Sequence, residues 1–203
     1  MRVSILGLTC VVGRDGTYGA LLNKGRLKHM HMRMVSPIGG GLHYEPEGLK
    51  FLLELGAYEF EGKPGEPELR FQIPDESIPY VVEWFKTKQG RETSARREAY
   101  EELVIETGIL NVQDFAPTIE RPLYTATYEG ETARNVSNKA TLYLIEVSQL
   151  HFSDFALDKM EAAAELPVAK RWMYWLNQAE LDAGRTIEGT QIGEITYETL
   201  YRT

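Results

Sequence analysis

The chain has 203 residues, 43% hydrophobic and 26% charged, with a formal net charge of −8. A domain of this size buries a core without covalent staples. Its make-up excludes a disulfide framework, since Cys10 is the single cysteine. It also excludes a membrane-spanning helix, since no apolar run reaches about 20 residues, and broad nucleic-acid binding, since an acidic surface repels phosphate backbones. A small phosphorylated ligand remains compatible where metal ions screen the site.

In chain order, the apolar run from Val3 to Val12 reads as a buried first strand, with Cys10 as a small core residue. It is short, leads into the turn Gly13-Arg14-Asp15-Gly16 and lacks a small-x-small cleavage site, so it is not read as a signal peptide. A cytoplasmic protein is the default expectation. Tyr18 to Leu22 completes a hairpin around the Asp-Gly turn. From Lys28 to Val35, methionines alternate with His29, His31 and Arg33. That period of two predicts a strand with Met30, Met32 and Met34 facing a core. Its other face carries two histidines at i, i+2, a pair that more often faces solvent or a cleft than a metal. Gly39, Gly40 and Gly41 follow, a stretch where backbone can approach a ligand or turn with positive φ.

Residues 45–90 read as an inserted subregion. Leu49 to Leu55 is a helix stopped by Gly56, Leu69 to Ile73 is a strand between Pro67 and Pro74, and Pro79 to Lys88 is a second helix. Gly62 to Pro67 is a loop. Phe51, Leu52, Trp84 and Phe85 give this subregion apolar surface for capping a site or for a homodimer interface. A helix then runs from an N-cap at Thr93 or Ser94 to just before Gly108. Leu123 to Tyr128 and Thr141 to Val147 read as strands joined by the polar stretch Glu129 to Asn138. Phe155 to Glu165 reads as a helix, Arg171 to Trp175 as a strand and Gly193 to Tyr201 as a terminal helix. Strands alternating with helices predict an α/β (α+β) fold in a single domain.

The helix beginning near Ser94 carries the chemistry. At about 100° per residue, Glu98, Glu101, Glu102 and Glu106 share a sector of roughly 140°. Ala99, Tyr100, Leu103 and Val104 fill the opposite side. Like charges at i, i+4 destabilise a helix, and Arg97 offsets one of them by facing Glu101. Such a face is either a solvated acidic surface or a site for Mg²⁺ or Mn²⁺, which favour carboxylate oxygens.

Arg97-Glu98-Ala99-Tyr100-Glu101-Glu102 resembles the R-E-U-x-E-E core of the Nudix hydrolase signature, where U is aliphatic. Ile38-Gly39-Gly40-Gly41-Leu42 resembles that family's P-G-G-G-L loop. Glu106-Thr107-Gly108-Ile109, Arg171-Trp172 and Glu180-Leu181 are similar to its flanking segments. The pattern is divided. Residues 47–96 replace a seven-residue spacer, Pro46 stands where a glutamate is expected, and Val104 stands where a glycine is expected. A second register, anchored on Gly108, brings in Glu106 but loses the arginine. The divided form looks most like Nudix proteins encoded beside nucleotide second-messenger synthases in bacterial defence clusters.

The resemblance implies a Nudix-type α/β/α sandwich with a mixed β-sheet and an inserted helix-strand-helix subregion. It implies Mg²⁺ or Mn²⁺ held by Glu98, Glu101 and Glu102, with Glu106 in the second register, helped by a backbone carbonyl near Gly39 or Gly40. Arg97 would orient the glutamates. Glu98 would bind metal or act as base, with Glu161 and Glu165 as further base candidates. Gly39, Gly40, Gly41, Arg33 and His31, with His29 beside them, would contact the substrate. That substrate is a small nucleoside diphosphate linked to another group, of the ADP-ribose or NAD kind. The rival readings are a non-catalytic nucleotide sensor on the same fold and an acidic interaction protein with a structural glutamate helix.

Overall fold

A computed structural model describes residues 1–62, 67–130, 140–193, 195–196 and 200. In chain order these form strands β1 (Arg2–Cys10) and β2 (Tyr18–Leu22), helix α1 (Lys24–Met30), β3 (Met34–Gly41), α2 (Pro46–Glu54), β4 (Arg70–Gln72) and α3 (Ile78–Thr87). Next come α4 (Arg96–Tyr100), which continues as a π-helix (Glu101–Glu106), and the short α5 (Val112–Phe115). The rest are β5 (Ile119–Gly130), β6 (Thr141–His151), α6 (Asp154–Ala164), β7 (Met173–Leu176), α7 (Gln178–Ala183) and β8 (Gln191–Ile192). Hydrogen-bonded strand neighbours follow the order β5-β6-β1-β3-β2-β7, with β4 on β1 and β8 on β3. β2 is antiparallel to β3 and β7, whereas β8 is parallel to β3, so the sheet is mixed. Among the described residues no helix is long and apolar enough to cross a membrane.

The chain divides into two compact units. The first comprises Met1–Gly7, Gly40–Ala95 and Tyr124–Glu146. Its core gathers Val3, Ile5, Leu52, Leu69, Phe71 and Leu144 around Trp84 and Phe85. The expected helix-strand-helix subregion is present as α2, β4 and α3. Its helices stop where the sequence indicates, with Gly56 at φ +84° and Lys88 at φ +60°. β4 adds to β1 with Arg2 opposite Gln72, so the inserted strand is part of the sheet.

At the start of α2 two backbones meet. A Cβ on Gly48 would run into the carbonyl oxygen of Gly90, and Gly90 itself sits at φ +67°. The Glu45 N–H donates to that same carbonyl at 2.9 Å. Because the obstacle is backbone, it cannot swing aside. Gly48→Ala is therefore expected to lower stability by about 1–3 kcal/mol, read as the midpoint of urea unfolding. An unchanged midpoint would mean that α2 slides freely there.

The second unit comprises Leu8–Gly39, Arg96–Leu123 and Val147–Thr203. Alternation along its strands sends side chains to two separate cores. Val11, Leu21, Ile38 and Met173 pack with Ala99 and Leu103 of the carboxylate helix and with Ala156 and Met160 of α6. Cys10, Ala20, Leu22, Val35 and Tyr174 pack with Leu181 of α7. Helices on both faces of a mixed sheet make this the expected α/β/α sandwich. Cys10 is buried as a core residue.

Three local expectations are corrected here. The Asp-Gly turn closes as read, with the Gly13 N–H on Thr17 O and the Gly19 N–H on Val11 O, both at 2.8 Å. Beyond it the strands part and β3 lies between them in the strand order. The strand expected from Lys28 is instead the end of α1, and β3 begins only at Met34. Asn23 caps that helix by accepting the Arg26 N–H at 2.9 Å. α1 buries no residue, and Met30 is 44% exposed. The methionine alternation therefore had no core to face, and the cap decided the conformation. Third, the carboxylate helix begins at Arg96, a turn's fraction later than its expected cap. The terminal helix expected from Gly193 to Tyr201 lies largely outside the described residues, as do parts of the loops at 62–67 and 129–138.

Candidate active site

The carboxylate helix belongs to the second unit and is seated by Ala99 and Leu103, both fully buried. Tyr100 packs edge-on against Phe115 with ring centroids 5.3 Å apart. From Glu101 the helix widens. The Thr107 N–H donates to Glu102 O, five residues back, at 3.0 Å, and the Thr107 hydroxyl donates to the same oxygen at 2.7 Å. π-helical turns are rare and concentrate at functional sites. Gly108 follows at φ +63° and ends the helix where the sequence indicates.

The glycine loop meets this helix at one point. Gly39 adopts φ +130°, a conformation that side chains seldom tolerate. Its N–H donates to Glu102 Oε2 at 2.7 Å. Arg97 Nη1 bridges two carboxylates, Glu98 Oε1 at 2.7 Å and Glu101 Oε1 at 3.0 Å. The expected i, i+4 pairing with Glu101 is thus present, and Glu98 shares it. Of these two carboxylates Glu98 is the more enclosed, 16% exposed against 42%. Burial, then the proximity of Glu98 and Glu106, push the Glu102 carboxyl up to about 8, against the lowering effects of the Gly39 N–H and of Lys24.

Lys24 is a participant that sequence reading passed over. Its Nζ lies 3.1 Å from Glu106 Oε2, donates to Glu106 O at 2.7 Å and sits 5.2 Å over the Trp172 ring. The signal that would have found it is Asn23, whose cap places Lys24 in the first turn of α1.

The remaining expected contacts lie elsewhere. Gly40 is within β3. Gly41 is explained by packing, since a Cβ there would stand 2.9 Å from Glu68 Oε2, itself ion-paired with Arg70 at 2.6 Å. Arg33 Nη2 donates to Val168 O at 2.7 Å, Tyr174 Oη at 3.0 Å and Arg171 O at 3.3 Å, which makes it a clasp on the β7 approach. His31 is exposed at the C-cap of α1 with φ +52°. Glu161 is held by Arg14 at 2.8 Å, and Glu165 caps α6 beside a cavity. Among the described residues no hydrogen bond or ion pair links His31, Arg33 or Glu165 to the carboxylate helix.

The sequence profile of the SMODS-associated NUDIX domain matches residues 1–201. The chain belongs to that family. No curated protein and no solved structure matches it. In this SMODS-associated NUDIX domain the two halves of the divided signature therefore touch through Gly39 and Glu102.

The carboxylate oxygens of this face are of the kind a divalent cation favours, although Arg97 already pairs with Glu98 and Glu101 and Lys24 with Glu106. Glu102, held up to about 8 with Glu98 and Glu106 nearby, is a carboxyl whose ionisation a cation would favour. Among the described residues no three acidic, histidine or cysteine side chains converge on one point as they stand. An incoming ion would have to draw Glu98 and Glu101 off Arg97.

Proposed function

We propose that this protein is a divalent-cation-dependent hydrolase of a nucleoside diphosphate linked to another group, of the ADP-ribose or NAD kind. The observation that carries this reading is the hydrogen bond from the Gly39 N–H to Glu102, made across 63 residues of sequence. It gives the divided signature one geometry. Glu98 and Glu102, joined by Glu101, would hold Mg²⁺ or Mn²⁺. When bound, the ion neutralises diphosphate charge and lowers the pKa of a water for attack at phosphorus. The chain's own groups orient the site. Arg97 fixes the directions of Glu98 and Glu101, Gly39 fixes that of Glu102, and Lys24 offsets the charge of Glu106.

The test is a panel of nucleoside diphosphate conjugates incubated with purified protein and Mg²⁺ or Mn²⁺, with product release followed by chromatography. Turnover of at least one conjugate that stops on chelation is the expected result. A nucleotide-binding sensor without turnover is the second reading, favoured by the hold of Arg97 on two of the carboxylates. Nucleotide-dependent thermal stabilisation with no product under any cation would establish it and sink the hydrolase.

A further inference from the structure

The carboxylate helix meets a fixed cation at each end. Arg97 Nη1 is divided between Glu98 and Glu101, at 2.7 and 3.0 Å. Lys24 serves Glu106, with Nζ 3.1 Å from Oε2. The two cations are held differently. Arg97 reaches its carboxylates from the same helix, whereas Lys24 arrives from α1 and is anchored by groups other than the carboxylate.

That anchoring has three parts. The Asn23 cap, which accepts the Arg26 N–H at 2.9 Å, sets Lys24 in the first turn of α1. The Lys24 Nζ donates to Glu106 O at 2.7 Å. It also lies 5.2 Å over the Trp172 ring. Glu106 is the last residue of the π-helix, and the carbonyls at a helix end favour a cation. If the Glu106 carboxylate swung toward a metal ion, Lys24 would stay behind on the carbonyl and the ring. A divalent ion at Glu106 would then face a like charge that cannot leave with the carboxylate.

The place that Lys24 fills is the one a second ion would need. The paired ions of two-metal sites stand roughly 3.5–4 Å apart. On this face a second ion would draw on Glu102 and Glu106 together, which are four residues apart. Glu106 is near enough to Glu102 to disfavour its ionisation, and Lys24 is near enough to favour it. The lysine charge thus already acts on both carboxylates. On the cation-dependent reading above, we infer that Lys24 stands in for a second metal ion and withholds Glu106, so that the carboxylate face takes one divalent cation per chain.

Mn²⁺ titration of the full chain, with free Mn²⁺ followed by electron paramagnetic resonance, counts the ions without reference to turnover. Wild type binds one Mn²⁺. Lys24→Met, which removes the charge and keeps an apolar stem against Trp172, binds two. Lys24→Arg, which keeps the charge, binds one. Lys24→Met, Glu106→Gln returns to one, which assigns the second ion to Glu106. The Lys24 side chain is 36% exposed, and Lys24→Gln carries the same test should Lys24→Met fail to fold. Two ions in wild type, one ion in the folded Lys24→Met or Lys24→Gln chain, or loss of the ion in Glu106→Gln alone overturns the inference. One ion in wild type and two in Lys24→Met, in a chain that hydrolyses no conjugate, upholds the role of Lys24 and removes the hydrolase. Cation-dependent turnover with a count that ignores Lys24 does the reverse. No bound Mn²⁺ in any of these proteins overturns both.

Discussion

Glu102→Gln is expected to cut cation-dependent turnover severely while making the cation-free protein more stable at alkaline pH. The second half follows from the carboxyl's surroundings. Unfolded, Glu102 titrates near its ordinary value of 4.5; folded, burial and the neighbouring carboxylates hold it up to about 8. The folded state therefore binds this proton more tightly than the unfolded state. Its contribution to stability is complete below about 4.5 and is lost as pH rises through about 8. Glutamine carries no such proton, so the variant's stability is flat at this position. Wild type and variant should match near pH 5, and at pH 9 the variant should exceed wild type by on the order of 2 kcal/mol, allowing for solvent screening. Urea melts at the two pH values measure the difference. Adding Mn²⁺ at the higher pH should return the advantage to wild type, since only a carboxylate gains from the ion. The kinetic loss should be roughly 100- to 1,000-fold in kcat/KM, the range for removing one preorganised electrostatic group. A variant with wild-type turnover would remove Glu102 from the mechanism, and parallel pH profiles would contradict its raised carboxyl.

The second large effect belongs to the first unit. Arg91 is wholly enclosed, and its Nη2 lies 2.6 Å from Glu146 Oε1, itself 6% exposed. The same guanidinium donates to Phe85 O at 2.6 Å and Glu92 O at 2.9 Å and lies 4.4 Å from the Phe85 ring centroid. Arg91→Met would strip Glu146 of its main counter-charge and leave two carbonyls without this donor. Breaking a buried pair from one side costs about 3–5 kcal/mol. Lys88, 3.2 Å from Glu146 Oε2 but half exposed, recovers a little of this, which puts the expectation at the lower end. The double variant Arg91→Met, Glu146→Leu should regain much of the loss, because both charges then leave together. Equilibrium unfolding of the three proteins measures this. A single variant within about 1 kcal/mol of wild type, the scale of a surface pair, would show that water reaches Glu146.

Several elements were legible in the sequence because each carries a local period and a local stop. α2 ends against Gly56, α3 at Lys88 and the carboxylate helix against Gly108, all at positive φ. β6 is buried from Thr141 to Ser148, which covers the strand expected from Thr141 to Val147. The Arg97 to Glu102 pattern and the three glycines likewise indicated which residues to examine, since residue type and helical spacing alone put four carboxylates on one face.

Other features were not written locally. The alternation from Lys28 to Val35 imitates a strand, yet Asn23 draws its first part into α1 and only Met34 and Val35 enter β3. Neither the insertion of β3 between β1 and β2 nor the π-helical widening at Glu101 has a sequence period, because both arise from contacts with distant chain. The tertiary structure assigned Arg33 to backbone carbonyls near β7 and set Lys24 against Glu106. The sequence by itself determined which side chains hold the chemistry and the helix that carries them. Only the fold decided their charge, since the pKa of Glu102 depends on Gly39, 63 residues away, and on the water that folding removes.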